Sequence, residues 1–154
     1  MKTRPPMLRF GVGRAHSQGL AAVEFVVTVP VLIVVMLAIA EIGHALVQFD
    51  TLSYSVRSSA RYVSENVIPG DSGTISDQLI ADVQDEARNL VVYGTVTESG
   101  DPPLLPNGEA TAVTASSAGT FDIEVVAVYP YVPLVASILP GFDMRVAVTM
   151  RAIS

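Results

Sequence analysis

The sequence has no cysteine, no tryptophan, only two histidines and few charges. Without cysteine there is no disulfide framework, no thiolate zinc site and no cysteine nucleophile. The two histidines, His16 and His44, are too few to build a histidine metal centre. His16 lies in the basic leader and His44 at the membrane boundary, so no Ser/His/Asp set can be proposed either. The expectation is a protein that is not an enzyme, with no cofactor, no metal and no small-molecule substrate. Charged residues make up 16% and hydrophobic ones 50%, with a mean hydropathy of +0.48. That balance excludes a disordered chain and is high for a small soluble domain. A net charge of −6 excludes a general nucleic-acid binder. The 154 residues are the size of one domain.

What charge there is falls unevenly. Residues 1–19 hold Lys2, Arg4, Arg9 and Arg14 and no acid. Residues 20–45 hold only Glu24 and Glu41, and residues 46–154 hold five arginines against thirteen acids. A basic leader, an apolar segment and an acidic body follow one another.

From Leu20 to Ala40 a run of 21 residues carries one charge, Glu24. As a helix it spans about 32 Å, which matches a hydrocarbon core of about 30 Å. The positive-inside rule puts the basic N-terminus in the cytoplasm and sends the body across the membrane. No later stretch is long and uncharged enough for a second span. Three readings compete. A cleaved signal peptide is supported by Ala38-Ile39-Ala40 before Glu41. An uncleaved signal anchor needs only the apolar run. In a type IV pilin-like signal the cut falls before that run, and the apolar helix is kept.

Glu24 favours the third. A carboxylate in a membrane helix costs about 2.5–3.5 kcal/mol at mid-span and less near an end. A cut after Gly19 makes Leu20 the first mature residue and Glu24 the fifth. Glu24 of one subunit can then neutralise the new α-amine of its neighbour, as buried charges require. The bland alternative is that Glu24 marks the interfacial end of the span. Pro30 removes one backbone hydrogen bond and is expected to kink the helix.

The helical pattern runs past Ala40. Leu46, Phe49, Val56, Ala60 and Val63 predict one amphipathic face, ending near Asn66 before Pro69-Gly70. Glu41 and His44, three apart, predict a local polar contact. A second helix is expected over 76–92, with Leu79, Ile80, Val83, Ala87, Leu90 and Val91 inward and Asp82, Asp85 and Glu86 on a solvated face. Gly94 stops it. Strands are expected near 110–119, over 121–129 and over 144–151, the last two antiparallel with Asp122 and Glu124 meeting Arg145 or Arg151. The Pro-bounded segment 130–141 is expected to hold a short apolar turn that either covers the sheet or binds a partner.

The ordered series Gly19, Ala22-Val23-Glu24-Phe25, Pro30, the apolar run, Glu41-Ile42-Gly43 and Ala60-Arg61-Tyr62 resembles the TadE-like family of pilin-related proteins. The resemblance covers residues 19–63, under a third of the chain. It implies a minor pilin, or pseudopilin, of a tight-adherence (Flp-type) pilus used in adherence. The implied partners are the membrane, a prepilin peptidase, other pilin-like subunits and the pilus assembly machinery. The implied location is the bacterial cytoplasmic membrane, single-pass, with the C-terminal domain periplasmic or extracellular. The fold class expected is α+β: a long N-terminal transmembrane helix leading into a small antiparallel sheet with one further helix. The expected organisation is a leader at 1–19, a long helix at 20–66 (membrane-spanning to 40, amphipathic from 41) and an exported domain at 67–154. The expected site residues are Gly19 and Leu20 for processing, Glu24 as counter-charge and Pro30 as kink. The competing reading is a secreted or membrane-anchored periplasmic binding module unrelated to pili.

Overall fold

A computed structural model describes residues 15–67, 75, 77–97, 100–136 and 139–152. The basic stretch to Arg14, the Pro69-Gly70 stop and Ser76 lie outside the described residues. The described elements are helix α1 (Ala15–Asn66), α2 (Asp77–Asp82), α3 (Gln84–Val92), a short 3-10 turn (Gly108–Ala110), and strands β1 (Ala112–Ser117), β2 (Asp122–Tyr131) and β3 (Phe142–Arg151). This is the α+β class expected, with a long apolar N-terminal helix and a three-stranded antiparallel sheet.

Packing divides the chain after Ala40. In the first unit α1 is helical from Ala15, and over residues 19–40 every side chain is exposed except that of Val29, which is half-buried. Among the described residues nothing in that unit covers Leu20, Phe25, Leu32 or Met36.

The second unit, Glu41–Ser154, holds the core. Leu52, Val56, Ala60 and Val63 of α1 are fully buried with Ile123, Val125, Ala127 and Tyr129 of β2. The sheet order is β1-β2-β3, with both pairs antiparallel. Alternation sets the faces: Ile123, Val125, Ala127, Tyr129 and Tyr131 point inward. In β3, Met144 and Val146 are buried while Arg145, Ala147, Thr149 and Arg151 are exposed, as the alternation predicts.

Several boundaries and contacts differ from expectation. The buried face of α1 does not include Leu46 or Phe49, which are 58% and 41% exposed. The inward stripe is instead Glu41, Gln48, Leu52, Ser55, Val56, Ser59, Ala60 and Val63. Polar side chains can lie there because each finds a partner: tyrosine hydroxyls of the sheet reach Glu41 and Gln48, while Ser55 and Ser59 donate to Leu52 O and Ala87 O. The expected second helix is two, broken at Val83, whose N–H turns to Ile80 O at 3.2 Å. That break sets Gln84 at the start of α3, where its amide pairs with the free edge of β1. Gln84 Nε2 donates to Val113 O at 2.9 Å, and Ala115 N–H donates to Gln84 Oε1 at 3.0 Å. A side-chain amide thus stands in for a neighbouring strand and blocks the edge. The apolar positions are otherwise as predicted: Ile80, Ala87, Leu90 and Val91 are buried. Asp82 and Asp85 are exposed, while Glu86 is half-buried with Oε2 lacking a hydrogen-bond partner.

Strand β2 extends through Pro130 to Tyr131, beyond the expected end at Tyr129. Asp122 O accepts from Ala118 N–H on the β1 side, and Phe121 O accepts from Ala152 N–H on the β3 side. Even-numbered residues of β2 therefore turn their backbone groups toward β1. Pro130 faces that side too, but β1 ends at Ala112, opposite Val128. Its missing N–H leaves no ladder bond unmade. Across β2 and β3, Asp122 lies opposite Arg151, as expected, while Glu124 meets Thr149 and Arg145 meets Val128. Arg151 also stacks on the Phe121 ring, 5.5 Å from its centroid.

Candidate functional site

Two places concentrate the residues of interest, one in each unit. In the first, Gly19, Leu20, Glu24 and Pro30 all lie within α1. Leu20 is 73% exposed, and the Glu24 side chain is exposed among Leu20, Val23 and Val27. A peptidase cutting after Gly19 must unwind this helical turn. Pro30 lacks the N–H that would bond the carbonyl four residues back.

In the second unit the start of the body is a polar corner under an apolar cleft. Glu41, the residue after Ala40, is buried. It accepts a short hydrogen bond from the Tyr131 hydroxyl, and the Leu134 N–H reaches both its oxygens at 3.2 and 3.1 Å. One carboxylate therefore ties the helix to the end of β2 and to the loop after it. Burial, with the Glu41 hydrogen bond and charge adding to it, pushes the Tyr131 phenol up to about 12.

Two turns further along α1, Gln48 joins His44 to Tyr129. The Gln48 amide lies 2.6 Å from His44 Nε2 and 2.8 Å from the Tyr129 oxygen, and Pro106 O lies 2.5 Å from that same oxygen. Tyr129 has one proton, so it cannot donate to both Gln48 and Pro106. With the Gln48 amide turned so that Nε2 donates to Tyr129, every proton has a place: Tyr129 donates to Pro106 O, and His44 Nε2–H donates to Gln48. Burial raises the Tyr129 pKa as well. The expected contact between Glu41 and His44 is thus replaced by two separate ones: Glu41 pairs with Tyr131 of the sheet and His44 with Gln48 one turn on in α1.

Beside this corner lies an open cleft of about 630 Å³. Ile42, Ala45, Leu46 and Phe49 form its helix wall, and Pro133, Leu139, Pro140, Phe142 and Met144 form the other. Tyr131 lies against Phe142, with ring centroids 5.0 Å apart. Gly141 is needed here, since a Cβ on it would sit 2.8 Å from Tyr131 O. Of the segment 130–141, Tyr131 and Pro133 go inside, while Val132, Leu134 and Leu139 are exposed. Leu139 N–H closes a single turn on Val135 O at 3.0 Å. Residues 137 and 138 lie outside the described residues.

Sequence reasoning singled out Glu41 as half of a local pair and as part of the Glu41-Ile42-Gly43 piece of the resemblance, and it missed Gln48, Tyr129 and Tyr131 as its neighbours in a site. The available signal was spacing. Glu41, Gln48 and Ser55 recur every seven residues, on the face that also carries Leu52 and Val56. Among the described residues no group of three or more His, Asp or Glu is placed to hold a metal ion.

The helix segment that carries the first place and the α1 side of the second has a counterpart among known proteins. Residues 19–61 match the family model described as TadE-like protein. This is the family that the residue series resembles, and it relates the segment to proteins of the Tad pilus. The TadE-like match begins at Gly19 and ends at Arg61, so it takes in Glu24 and Pro30 together with Glu41, Gln48, Leu52 and Val56. No curated protein and no solved structure matches the chain. The TadE-like segment includes a helix long and apolar enough to cross a membrane.

Proposed function

We propose that the protein is a pilin-like minor subunit, a pseudopilin, that serves assembly or initiation of a Tad/Flp-type pilus. Its apolar helix holds it in the cytoplasmic membrane as a single-pass protein until assembly, with the body on the far side. The observation that carries this reading is the TadE-like match over residues 19–61. It runs through the apolar segment and on into the helix that packs in the body. The run of α1 from the apolar segment on to Asn66 supports it further, since a signal-peptide cut at Ala40 would fall in mid-helix whereas a cut after Gly19 trims only its first residues. Glu41, the residue that such a cut would make the new N-terminus, is buried and bonded at its carboxylate.

In this role a prepilin peptidase cuts after Gly19 and frees the α-amine of Leu20. Glu24 then sits one helical turn from the new N-terminus, and in an assembly it neutralises the amine of a neighbouring subunit. Ala21 and Ala22 let helices approach closely beside it. Pro30 bends the segment within the bilayer, where Pro is tolerated. Head-to-tail contacts that do not close extend such an assembly into a filament.

The test is the N-terminal sequence of the mature protein from the native membrane fraction. A start at Leu20 is the expected outcome. A start at Glu41 identifies an ordinary signal peptide and overturns the reading. A start at Met1 leaves an uncut anchor and removes the counter-charge role of Glu24.

A further inference from the structure

The apolar cleft of the body has no part in processing or in the Glu24 contact. Its helix wall, Ile42 to Phe49, starts two residues past Ala40. Covalent continuity alone keeps the start of that wall close to the end of the apolar segment: two residues reach about 7 Å even fully extended. The polar layer on each side of a hydrocarbon core is about 5–8 Å thick. Ile42 therefore cannot leave the lipid interface if residues 20–40 span. The lining suits that place. Its ionisable side chains are Glu41 and Tyr131, which hydrogen-bond to each other, and both Glu41 oxygens are engaged within the protein. The thirteen acids of residues 46–154 are absent from it. The exposed Leu139 and Phe142 complete an apolar surface with an aromatic edge, the composition that settles at the boundary of headgroups and acyl chains.

We propose that this cleft is a lipid-docking surface. The body lies on the leaflet from which its helix emerges, with Ile42, Leu46, Leu139 and Phe142 in the headgroup–acyl boundary. A tethered lipid surface is present at high effective concentration, whereas a second protein must be recruited. Lipid is therefore the occupant before assembly. Glu41 acts here as a positioning residue, because its bond to Leu134 N–H holds the far wall against the helix. The proposal rests on the membrane reading of residues 20–40, and the test separates the two.

The absence of tryptophan makes the test direct. The full chain is placed in phosphatidylcholine vesicles at low protein-to-lipid ratio, with single substitutions Phe142→Trp, Leu139→Trp, Tyr54→Trp and Leu32→Trp made separately. Tyr54 is 78% exposed and stands 14 residues beyond Ala40 on α1. Lipids brominated high on the acyl chain should quench Trp at 142 and at 139, blue-shift both, and leave Trp at 54 unquenched. Lipids brominated deep in the chain should quench Trp at 32. If Trp at 32 is quenched while 142 and 139 are not, the lipid surface is refuted and the membrane span survives. If Trp at 32 is also unquenched, both fall. Blue-shifted but unquenched emission at 142 and 139 that depends on protein density assigns the cleft to a second copy and overturns the proposal. Equal quenching at 54 marks unspecific adsorption and does the same. Leu139→Trp, at a 44% exposed position, keeps the test decisive if Phe142→Trp does not fold.

Discussion

At the residue scale, the corner made by Glu41, Tyr131 and Leu134 shows how one buried carboxylate is made tolerable. A lone ionised carboxylate in an apolar place is costly, and donors from a hydroxyl and a backbone N–H offset that cost. Tyr131→Phe removes the hydroxyl donor and leaves Glu41 underpartnered. Thermal or denaturant unfolding of the body should register a loss of about 1–3 kcal/mol near neutral pH. The pH dependence has a definite sign. The phenol ionises near 10.0 when unfolded and near 12 in place, so the folded state holds its proton more tightly. The stabilisation is complete below pH 10 and is lost as pH rises through 12. Native protein should therefore lose stability over that window, and the gap to Tyr131→Phe should narrow. A gap that stays constant from pH 9 to 12 contradicts the assignment.

At the element scale, α1 carries two apolar stripes that run side by side and end differently. Leu52 is fully buried against the sheet cluster, while Leu46, six residues earlier, is 58% exposed on the cleft. Leu52→Ala should destabilise the body by about 2–5 kcal/mol through lost burial and the cavity left behind. Leu46→Ala should change it by no more than about 0.5 kcal/mol. Denaturant melts of the two variants check this, and equal losses would restore Leu46 to the core face. Periodicity alone made α1, its end at Asn66 and the strands visible. It could not choose between the two stripes. The deciding partners, Tyr129 and Tyr131, are more than 80 residues away in sequence. Gln84 was likewise illegible as a strand mimic, since a mid-helix glutamine on a half-exposed face carries no such signal.

At the scale of the whole molecule, the protein joins an apolar helix whose side chains are uncovered to a body with its own core. In the proposed role this uncovered helix is covered by lipid first and by other helices afterwards. Glu24→Ala should leave membrane insertion intact and impair assembly, since it makes the span more apolar and removes the counter-charge. Carbonate extraction reads insertion, and recovery of the protein with sheared surface filaments reads assembly. Loss of insertion, or normal assembly, would contradict the role given to Glu24.

The sequence by itself determined the apolar segment, its charge asymmetry, the single carboxylate within it, the long helix and the alternation of the two long strands. These depend on local period and composition, which short-range sterics and transfer free energies translate directly into helix, strand and span. Only the tertiary structure decided which α1 face is buried, where Glu41 and Gln48 find partners, that Gln84 closes the edge of β1, and that residues 133–144 open an apolar cleft beside the helix. Each of these depends on groups distant in the chain meeting in one place. A side chain's hydrogen-bond partner and burial are properties of that meeting and not of its own segment.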